Sequence, residues 1–324
     1  MAVLNAYQQL TLKELANRKD PNGNAAVIAE LLQQTNDILK DAIWLEANDT
    51  FSHRITQRYS LPAGHWRNLN AGVAKEASAT RVVNEVVGTL ESYSESDKML
   101  VDASPNPAQF RMDEASAFIE GLAQTLAAAI VYGNAATDPE KMTGLAPRMD
   151  SLATGLYSNV LAVGTAGTGS LNTSIYMVQW GPRSVHMMYP KGHVNFGIEH
   201  RDLGEVTLLD GSSNPYQGYR DWFGVRAGLA VWNERCIARA ANMLATSTTI
   251  DDTLIKLLNA MPNAGKGAVL YCNKTVFDWL SIDAKDKSNV WYRGNDAWGD
   301  EVLMFRTHPV RLVEQITQTE GTLT

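Results

Sequence analysis

The feature that most constrains this fold is a strand-like stretch in the first third of the chain whose charges separate into two halves. Residues 51–81 hold five basic side chains against the single acid Glu76, and residues 82–102 hold five acids against Lys98 alone. Alternation over Thr80–Val87 predicts a long two-stranded excursion. Because a lone two-stranded ribbon is only marginally stable in water, a long one persists by lying on another surface.

Two interpretations of this charge separation stay open. The halves can pair with each other as cross-strand neighbours of one hairpin, which contributes roughly a few tenths of a kcal/mol per pair. Alternatively, the oppositely charged strands set the register against neighbouring subunits. The second interpretation selects six candidate inter-subunit contacts, three basic and three acidic: Arg54, Arg58, Arg67, Glu85, Glu91 and Glu95.

A long helix is predicted after the ribbon, over residues 104–133. Two prolines precede it, apolar side chains recur at i, i+4 from Phe110 to Ile130, and Gly133-Asn134 ends it. Small residues on one flank allow a sheet or a second helix to approach closely. This helix is expected to be the spine of the fold.

The N-terminal residues form a predicted helical arm. A turn at Asp20–Gly23 is followed by an apolar stripe from Ala25 to Trp44 at helical spacing. Packing on its own domain and docking on a neighbour are both open for such an arm.

The second half of the chain alternates mainly as strands. Gly181-Pro182 stands between two strand-like runs, Ser174–Trp180 and Ser184–Tyr189, and predicts a hairpin. Further predicted elements are a strand at Tyr219–Trp232, a helix at 251–260 capped by Asp251, a strand at Ala268–Cys272, a helix that starts at Asn273, and strands at Val302–Phe305 and Pro309–Val313.

Composition argues against several classes of protein. The net charge of -7 disfavours a nucleic-acid binder that works by neutralising phosphates. Cys236 and Cys272 stand far apart, which fits a reducing compartment better than a disulfide framework. The start of the chain has no apolar leader, and no run approaches the roughly 20 apolar residues of a bilayer span. We therefore expect neither export nor membrane insertion.

No motif predicts chemistry. Gly164–Ser170 has the glycine spacing of a phosphate loop but ends in Ser where that loop needs Lys, so a surface loop is expected. His186, His193 and His200 recur every seven residues without a matched cysteine or carboxylate for zinc. No nucleophile with an adjacent base is evident. We expect no catalytic residue, no cofactor and no metal, and hence a protein that is not an enzyme.

The chain holds eight tryptophans, which is many for 324 residues. A carbohydrate-binding surface would use exposed ones, yet most lie in alternating strands beside Val, Met or Phe. Core packing or anchoring at a subunit interface is the favoured use.

Several short runs together carry a resemblance to a known family. They are Val131-Tyr132-Gly133-Asn134, Gly144-Leu145, Ser174–Trp180, Tyr189-Pro190-Lys191-Gly192, Trp222–Arg226, Ala268–Asn273 and Phe305–Arg311. With the arm, the charged hairpin and the spine helix, the chain resembles the major capsid proteins of tailed bacteriophages with the Hong Kong 97 fold, above all those of short-tailed phages. The order of elements departs from the commoner order of the family. Here the paired strands around Ser174–Ala241 precede the segment Leu254–Leu280, whereas related elements often follow it, and this implies a permuted connectivity.

The resemblance implies an α+β, Hong Kong 97-like capsid fold with mixed α/β axial and peripheral domains. It divides the chain into an N-terminal arm (1–46), an extended β-hairpin loop (47–102), a peripheral domain with the spine helix (103–149), a β-rich axial or peripheral segment (150–250), an axial helix-strand-helix segment (251–300) and a C-terminal peripheral strand (301–324).

The resemblance also implies a function, that of a major capsid protein that self-assembles into the icosahedral head shell around packaged double-stranded DNA. The implied partners are copies of itself in hexamers and pentamers, a separate scaffolding protein, a portal protein and a decoration protein, without specific DNA binding and without a membrane. Such shells assemble in the host cytoplasm and expand as DNA enters. Lys75 and Lys98 are ordinary solvated charges, and no cross-link is assigned to them.

Two alternatives from other classes stay open. One is a secreted or cell-surface carbohydrate-binding β protein that uses its tryptophans, and the other is a hydrolase with an unrecognised site.

Overall fold

The computed structural model describes residues 33–152, 158–163, 172–193, 197–244, 250–284, 291–295 and 301–324. Its strands are β1 Trp44–Glu46, β2 Ser52–Ser60, β3 Ala79–Val86, β4 Gly88–Asp97, β5 Val160–Ala162, β6 Thr173–Gln179, β7 Val185–Tyr189, β8 Ile198–Leu209, β9 Pro215–Val231, β10 Ile237–Met243, β11 Ala268–Cys272, β12 Trp291–Asn295, β13 Glu301–Phe305 and β14 His308–Leu312. Its α-helices are α1 Ile38–Asp41, α2 Lys98–Asp102, α3 Pro107–Tyr132, α4 Ile250–Ala260 and α5 Lys274–Asp283.

The chain folds into two compact units. The first contains Thr89–Ala127 and Val194–Arg226, and the second contains Asn36–Gly88, Ala128–His193 and Ala227–Thr324. The division falls within α3 and β9 and after the first residue of β4, so these three elements contribute residues to both units.

A seven-stranded sheet forms the body of the second unit, in the order β12-β13-β14-β11-β6-β10-β5. The core on it is built by apolar side chains of α4 and α5, among them Leu254, Leu257 and Leu280, packed with Ile175 of β6 and Leu270 of β11. Strand β14 lies parallel to β11, so the predicted C-terminal strand and the predicted helix-strand-helix segment share one sheet.

The start of α5 confirms a local prediction and that of α4 corrects one. Asn273 caps α5, since its side chain accepts a hydrogen bond of 2.9 Å from the backbone N–H of Val276. Helix α4 already begins at Ile250, so Asp251 lies in its first turn rather than at its cap, where its charge still favours the helix N-terminus.

The hairpin predicted around Gly181-Pro182 is wrong. The turn is tight, with the N–H of Gly181 donating to the carbonyl of Val185 at 2.9 Å, but β6 and β7 enter different sheets. Strand β6 already pairs with β10 on one edge and β11 on the other. With both edges occupied, β6 offers no ladder to β7, which pairs with β1 and β9 instead.

The predicted spine helix is confirmed as α3, which ends one residue before Gly133. In the first unit its Phe118 stacks on Phe223 of β9 with ring centroids 5.6 Å apart, and its Arg111 donates to Asp221 at 2.9 Å. By length and composition α3 is apolar enough to cross a membrane, which corrects the expectation that no run is. Within α3, Phe110 is buried and Arg111 pairs with Asp221.

Within the predicted arm, residues 1–32 lie outside the described residues. The helix predicted to reach Trp44 ends earlier, because Ala42 turns to extended backbone after α1. Trp44 then starts β1, which pairs in parallel with Met187–Tyr189 of β7. Sheet pairing with a distant strand thus overrides the local helical spacing.

Candidate assembly surface

The charged stretch folds as a two-stranded ribbon, residues 52–86, which we call the ribbon. Strands β2 and β3 pair antiparallel from Ser52 opposite Val86 to Ser60 opposite Ala79. The residues between them, 61–78, are all exposed and form the tip of the ribbon. Strand β4 leaves the ribbon at Gly88 and lies beside β9.

The base of the ribbon is fixed to the rest of the second unit by hydrogen bonds. The side-chain amide of Gln57 donates to the carbonyls of Val231 and Trp232, each at 3.2 Å. Arg81 of β3 forms an ion pair with Glu234. The apolar side chain of Ile55 is completely buried beneath them.

Glu85, one of the predicted contact residues, is buried at this base. Arg148 binds its carboxylate through two hydrogen bonds of 2.7 and 2.6 Å, the fork geometry that suits a carboxylate best. Arg148 also donates to the carbonyls of Gly144, Thr143 and Leu229, at 3.1, 3.1 and 3.3 Å. The charge of Glu85 is therefore compensated within one chain, and this part of the ribbon has a fixed position.

The other two acids lie on β4, in the first unit, and also have partners in the same chain. Glu91 accepts a hydrogen bond of 3.3 Å from the indole N–H of Trp222. Glu95 accepts from Nε and Nη2 of Arg220 at 2.9 and 2.6 Å. The structure does not bring these acids together with the predicted basic residues in one chain.

The three predicted basic residues lie on the exposed part of the ribbon. Arg54 stands opposite Asn84 and Arg58 opposite Thr80, so neither faces an acid across the ladder. Arg67 lies in the tip, where its guanidinium donates to the carbonyl of Ala71 at 3.4 Å. Among the described residues no ion pair joins these arginines to an acid of β3, so cross-strand charge pairing does not hold the ribbon together.

Large apolar side chains share the tip with these cations. Trp66 is fully exposed, and Leu69 and Leu61 are 91 % and 74 % exposed. Folded monomers seldom display several large apolar groups on one projecting segment, and such groups mark contact surfaces. The sequence did offer this signal, since large apolar residues stand here in a turn-rich segment without alternation.

The remaining predicted features offer no catalytic centre among the described residues. Gly164–Ser170 lies outside those residues, and within them no group of three His, Cys, Asp or Glu side chains could hold a metal ion. Both cysteines are buried and free, and burial raises the thiol pKa of Cys236 and of Cys272. A raised pKa disfavours the thiolate, so neither thiol has the character of a nucleophile.

Comparison with known proteins gives a consistent result. The family model described as major capsid protein GP7 matches residues 20–324. A chain of the near-atomic cryo-EM structure of bacteriophage Epsilon15 is 33 % identical, with 100 % of each chain covered and a TM-score of 0.74. The structure titled bacteriophage JBD30 capsid shares the fold at 12 % identity, covering 88 % of this chain and 92 % of that one, with a TM-score of 0.51. No curated protein matches by sequence.

Proposed function

The chain belongs to the major capsid protein GP7 family and is a structural protein of a bacteriophage head shell with an α+β capsid fold of the Hong Kong 97 type, and we propose that its ribbon makes the contacts between neighbouring copies. Family membership gives no support to the carbohydrate-binding or hydrolase alternatives. The permuted connectivity stays a prediction.

The observation that carries this proposal is the contrast between the two ends of the ribbon. The base is held by Gln57, by Arg81 and by the buried pair of Glu85 with Arg148. The tip projects cations and apolar side chains that are exposed in the single chain. A fixed base lowers the entropy that an extended segment loses on binding, because its direction is already set.

The apolar part of the tip supplies the larger share of the expected contact energy. Burying a large apolar side chain contributes roughly 1.5–3 kcal/mol, so Trp66, Leu61 and Leu69 are together worth several kcal/mol before the cost of ordering the tip. Arg58 and Arg67 then select an acidic patch on the neighbour, chiefly by steering and register. A head-to-tail contact of this kind recurs in every copy of a closed shell.

We revise the role of the acids. Glu85 is buried and paired, so we propose that it positions the ribbon rather than touching a neighbour. The side chains of Glu91 and Glu95 stay at least partly exposed to solvent, and we retain them as the acidic side of the contact between neighbouring copies.

The finer partners follow from the family resemblance. We propose hexamers and pentamers of this chain, a separate scaffolding protein, a portal protein, a decoration protein and assembly in the host cytoplasm. We further propose that the shell encloses double-stranded DNA without specific binding and that the protein has no enzymatic role. The net charge of -7 supports the DNA proposal, because a strongly basic protein would hold phosphates at low salt.

The ribbon is tested by charge reversal in the full chain. The double variant Arg58→Glu/Arg67→Glu should keep the far-UV circular dichroism and melting temperature of the unassembled protein but form no shells in negative-stain electron microscopy. Lys141→Glu/Lys274→Glu makes the same change of charge at two exposed lysines outside the ribbon, and should assemble normally. Normal shells from the ribbon variant would refute the proposal.

A further inference from the structure

Two buried histidines meet where the base of the ribbon packs on the rest of the second unit. His53 lies on β2 and His186 on β7, 7 % and 1 % exposed, with ring centroids 5.5 Å apart and ring planes at 86°. Trp232 completes the cluster, with its ring 6.0 Å from that of His53. The surrounding seam is apolar and includes the buried side chains of Ile55 and Met188. The histidine pair therefore stands in the seam through which the ribbon is seated.

The hydrogen bonding of the pair is suited to neutral rings. The N–H of Asn48 donates to Nδ1 of His53 at 3.2 Å, so a neutral ring carries its proton on Nε2. Among the described residues no hydrogen-bond partner reaches Nε2 of His53, either ring nitrogen of His186, or the indole N–H of Trp232. A charge placed on the ring of His53 would be buried with Nε2 lacking a hydrogen bond, and a charge on His186 would have only the Gly181 backbone to stabilise it among the described residues.

The charged groups around the pair do not supply a free counter-ion. Glu85 of β3 stands opposite His53 across the ladder, but both of its oxygens are already bound by Arg148. From β7 the neighbour of His53 is His186 itself, and His186 is otherwise faced by the backbone of Gly181. A proton taken up here adds positive charge beside a second histidine and a neutralised acid.

We propose that the His53–His186 pair is a proton-operated latch, which seats the ribbon on β7 and β9 while both rings are neutral and releases its base when either ring takes up a proton. The step is a simple protonation of a ring nitrogen by solvent. Its effect on a shell rests on the proposed function, because a released base no longer sets the direction of the tip.

The titration of the two rings gives the direction of the switch. Burial, and then the neighbouring His53, lower the pKa of His186 from 6.5 to about 4, with the Gly181 backbone opposing. Burial also lowers the pKa of His53, which Glu85 partly offsets. The seated form binds protons less readily than the released form, so seating is complete above pH 6.5 and weakens as the pH falls toward 4. For His186 alone, the ratio of seated to released ribbon falls about 30-fold between pH 8 and pH 5.

Hydrogen–deuterium exchange of the full unassembled chain tests the latch. After correction for the intrinsic pH dependence of exchange, the protection of β2 and β7 should fall about 30-fold between pH 8 and pH 5, while that of α4 stays constant. His186→Met fills the site with an apolar chain that cannot titrate and should remove most of this fall. His65→Gln removes an exposed histidine of the tip and should behave as the wild type.

An equal fall in the wild type and in His186→Met, or a constant wild-type protection, would overturn the latch. If His186→Met does not fold, the ring signals of the six histidines in the wild type decide by NMR titration, and six ordinary values near 6.5 would overturn it as well. Electron microscopy of shells at pH 8 and 5 separates the two proposals. Opening of β2 and β7 in shells that keep their structure would support the latch and refute the assembly role of the ribbon.

Discussion

The buried carboxylate of Glu320 joins the C-terminal segment to Tyr132, Tyr176 and Arg239. Removal of this carboxylate should cost a large part of the stability of the second unit. Glu320 accepts hydrogen bonds from Nη2 of Arg239 at 2.9 Å, from the hydroxyl of Tyr132 at 2.6 Å and from that of Tyr176 at 2.9 Å. The hydroxyl of Ser174 donates to it as well. The side chains of Arg239 and Glu320 are only 6 % and 4 % exposed, so water competes little for these bonds.

The magnitude follows from what Glu320→Ala leaves behind. Arg239 keeps its bonds to the carbonyl of Met149 at 2.8 Å and to Ser174 at 3.0 Å, but its charge loses its buried counter-ion. Breaking a buried pair by removing one partner costs about 3–5 kcal/mol. Since the lost hydroxyl bonds belong to the same network, their costs do not simply add. We expect a loss of about 4 kcal/mol, against a typical total of roughly 5–15 kcal/mol for a folded protein.

Urea unfolding of the unassembled chain, followed by circular dichroism, measures this loss. Glu314→Ala removes an exposed acid from the same tail and should change the free energy of unfolding by less than about 0.5 kcal/mol. The double variant Arg239→Met/Glu320→Met should recover part of the loss, because no charge then stays buried without a partner. A cost below about 1 kcal/mol for Glu320→Ala would refute the view that this carboxylate holds the tail.

Two further expectations concern the same unit and α3. A Cβ on Gly144 would lie 2.7 Å from the carbonyl oxygen of Ala129, so Gly144→Ala should lower the free energy of unfolding by about 1–3 kcal/mol. A Cβ on Gly121 would meet nothing within 4 Å, so Gly121→Ala in α3 should raise the free energy of unfolding by about 0.5–1 kcal/mol. Equal effects of the two substitutions in thermal unfolding would contradict this expectation. Burial, and after it the charge of Glu320, raise the pKa of the Tyr132 hydroxyl above 10, so at high pH the folded state keeps a proton that the unfolded state loses. The contribution of Tyr132 to stability should therefore be constant below pH 10 and fall above it, which urea unfolding measures.

The elements that the sequence predicts correctly are those whose signals are local. The proline before α3, the glycine after it and the cap at Asn273 act within a few residues of the helix they bound. The prediction of a hairpin at Gly181-Pro182 is wrong because a turn signal in the sequence indicates where the chain bends but not which strands then pair. The pairing of β6 is decided by β10 and β11, which lie far along the chain. Ala240 of β10 pairs with Ile175 at a separation of 65 residues, and Leu270 of β11 pairs with Met177 at a separation of 93 residues.

The candidate site shows the same division between local and distant information. The ribbon and its exposed cations follow from charge and alternation along one stretch of sequence. The roles of the acids do not, because Glu85 is paired with Arg148 and Glu95 with Arg220, at separations of 63 and 125 residues. A single sequence gives the charge of a residue but not the partner that the fold brings to it.

These in-chain pairs change how a charged ribbon works. If Glu85 were free, its charge could satisfy one of the arginines of the same ribbon, and the ribbon would have a weaker preference for a neighbour. The pairing of Glu85 with Arg148 removes a negative charge from the ribbon and also fixes its base. Of the predicted contact residues, those that stay exposed on the ribbon are then of one sign, Arg54, Arg58 and Arg67, beside the apolar Trp66. A projecting segment with uncompensated charge and exposed apolar area cannot satisfy itself, and it is stabilised by binding an acidic surface on another copy.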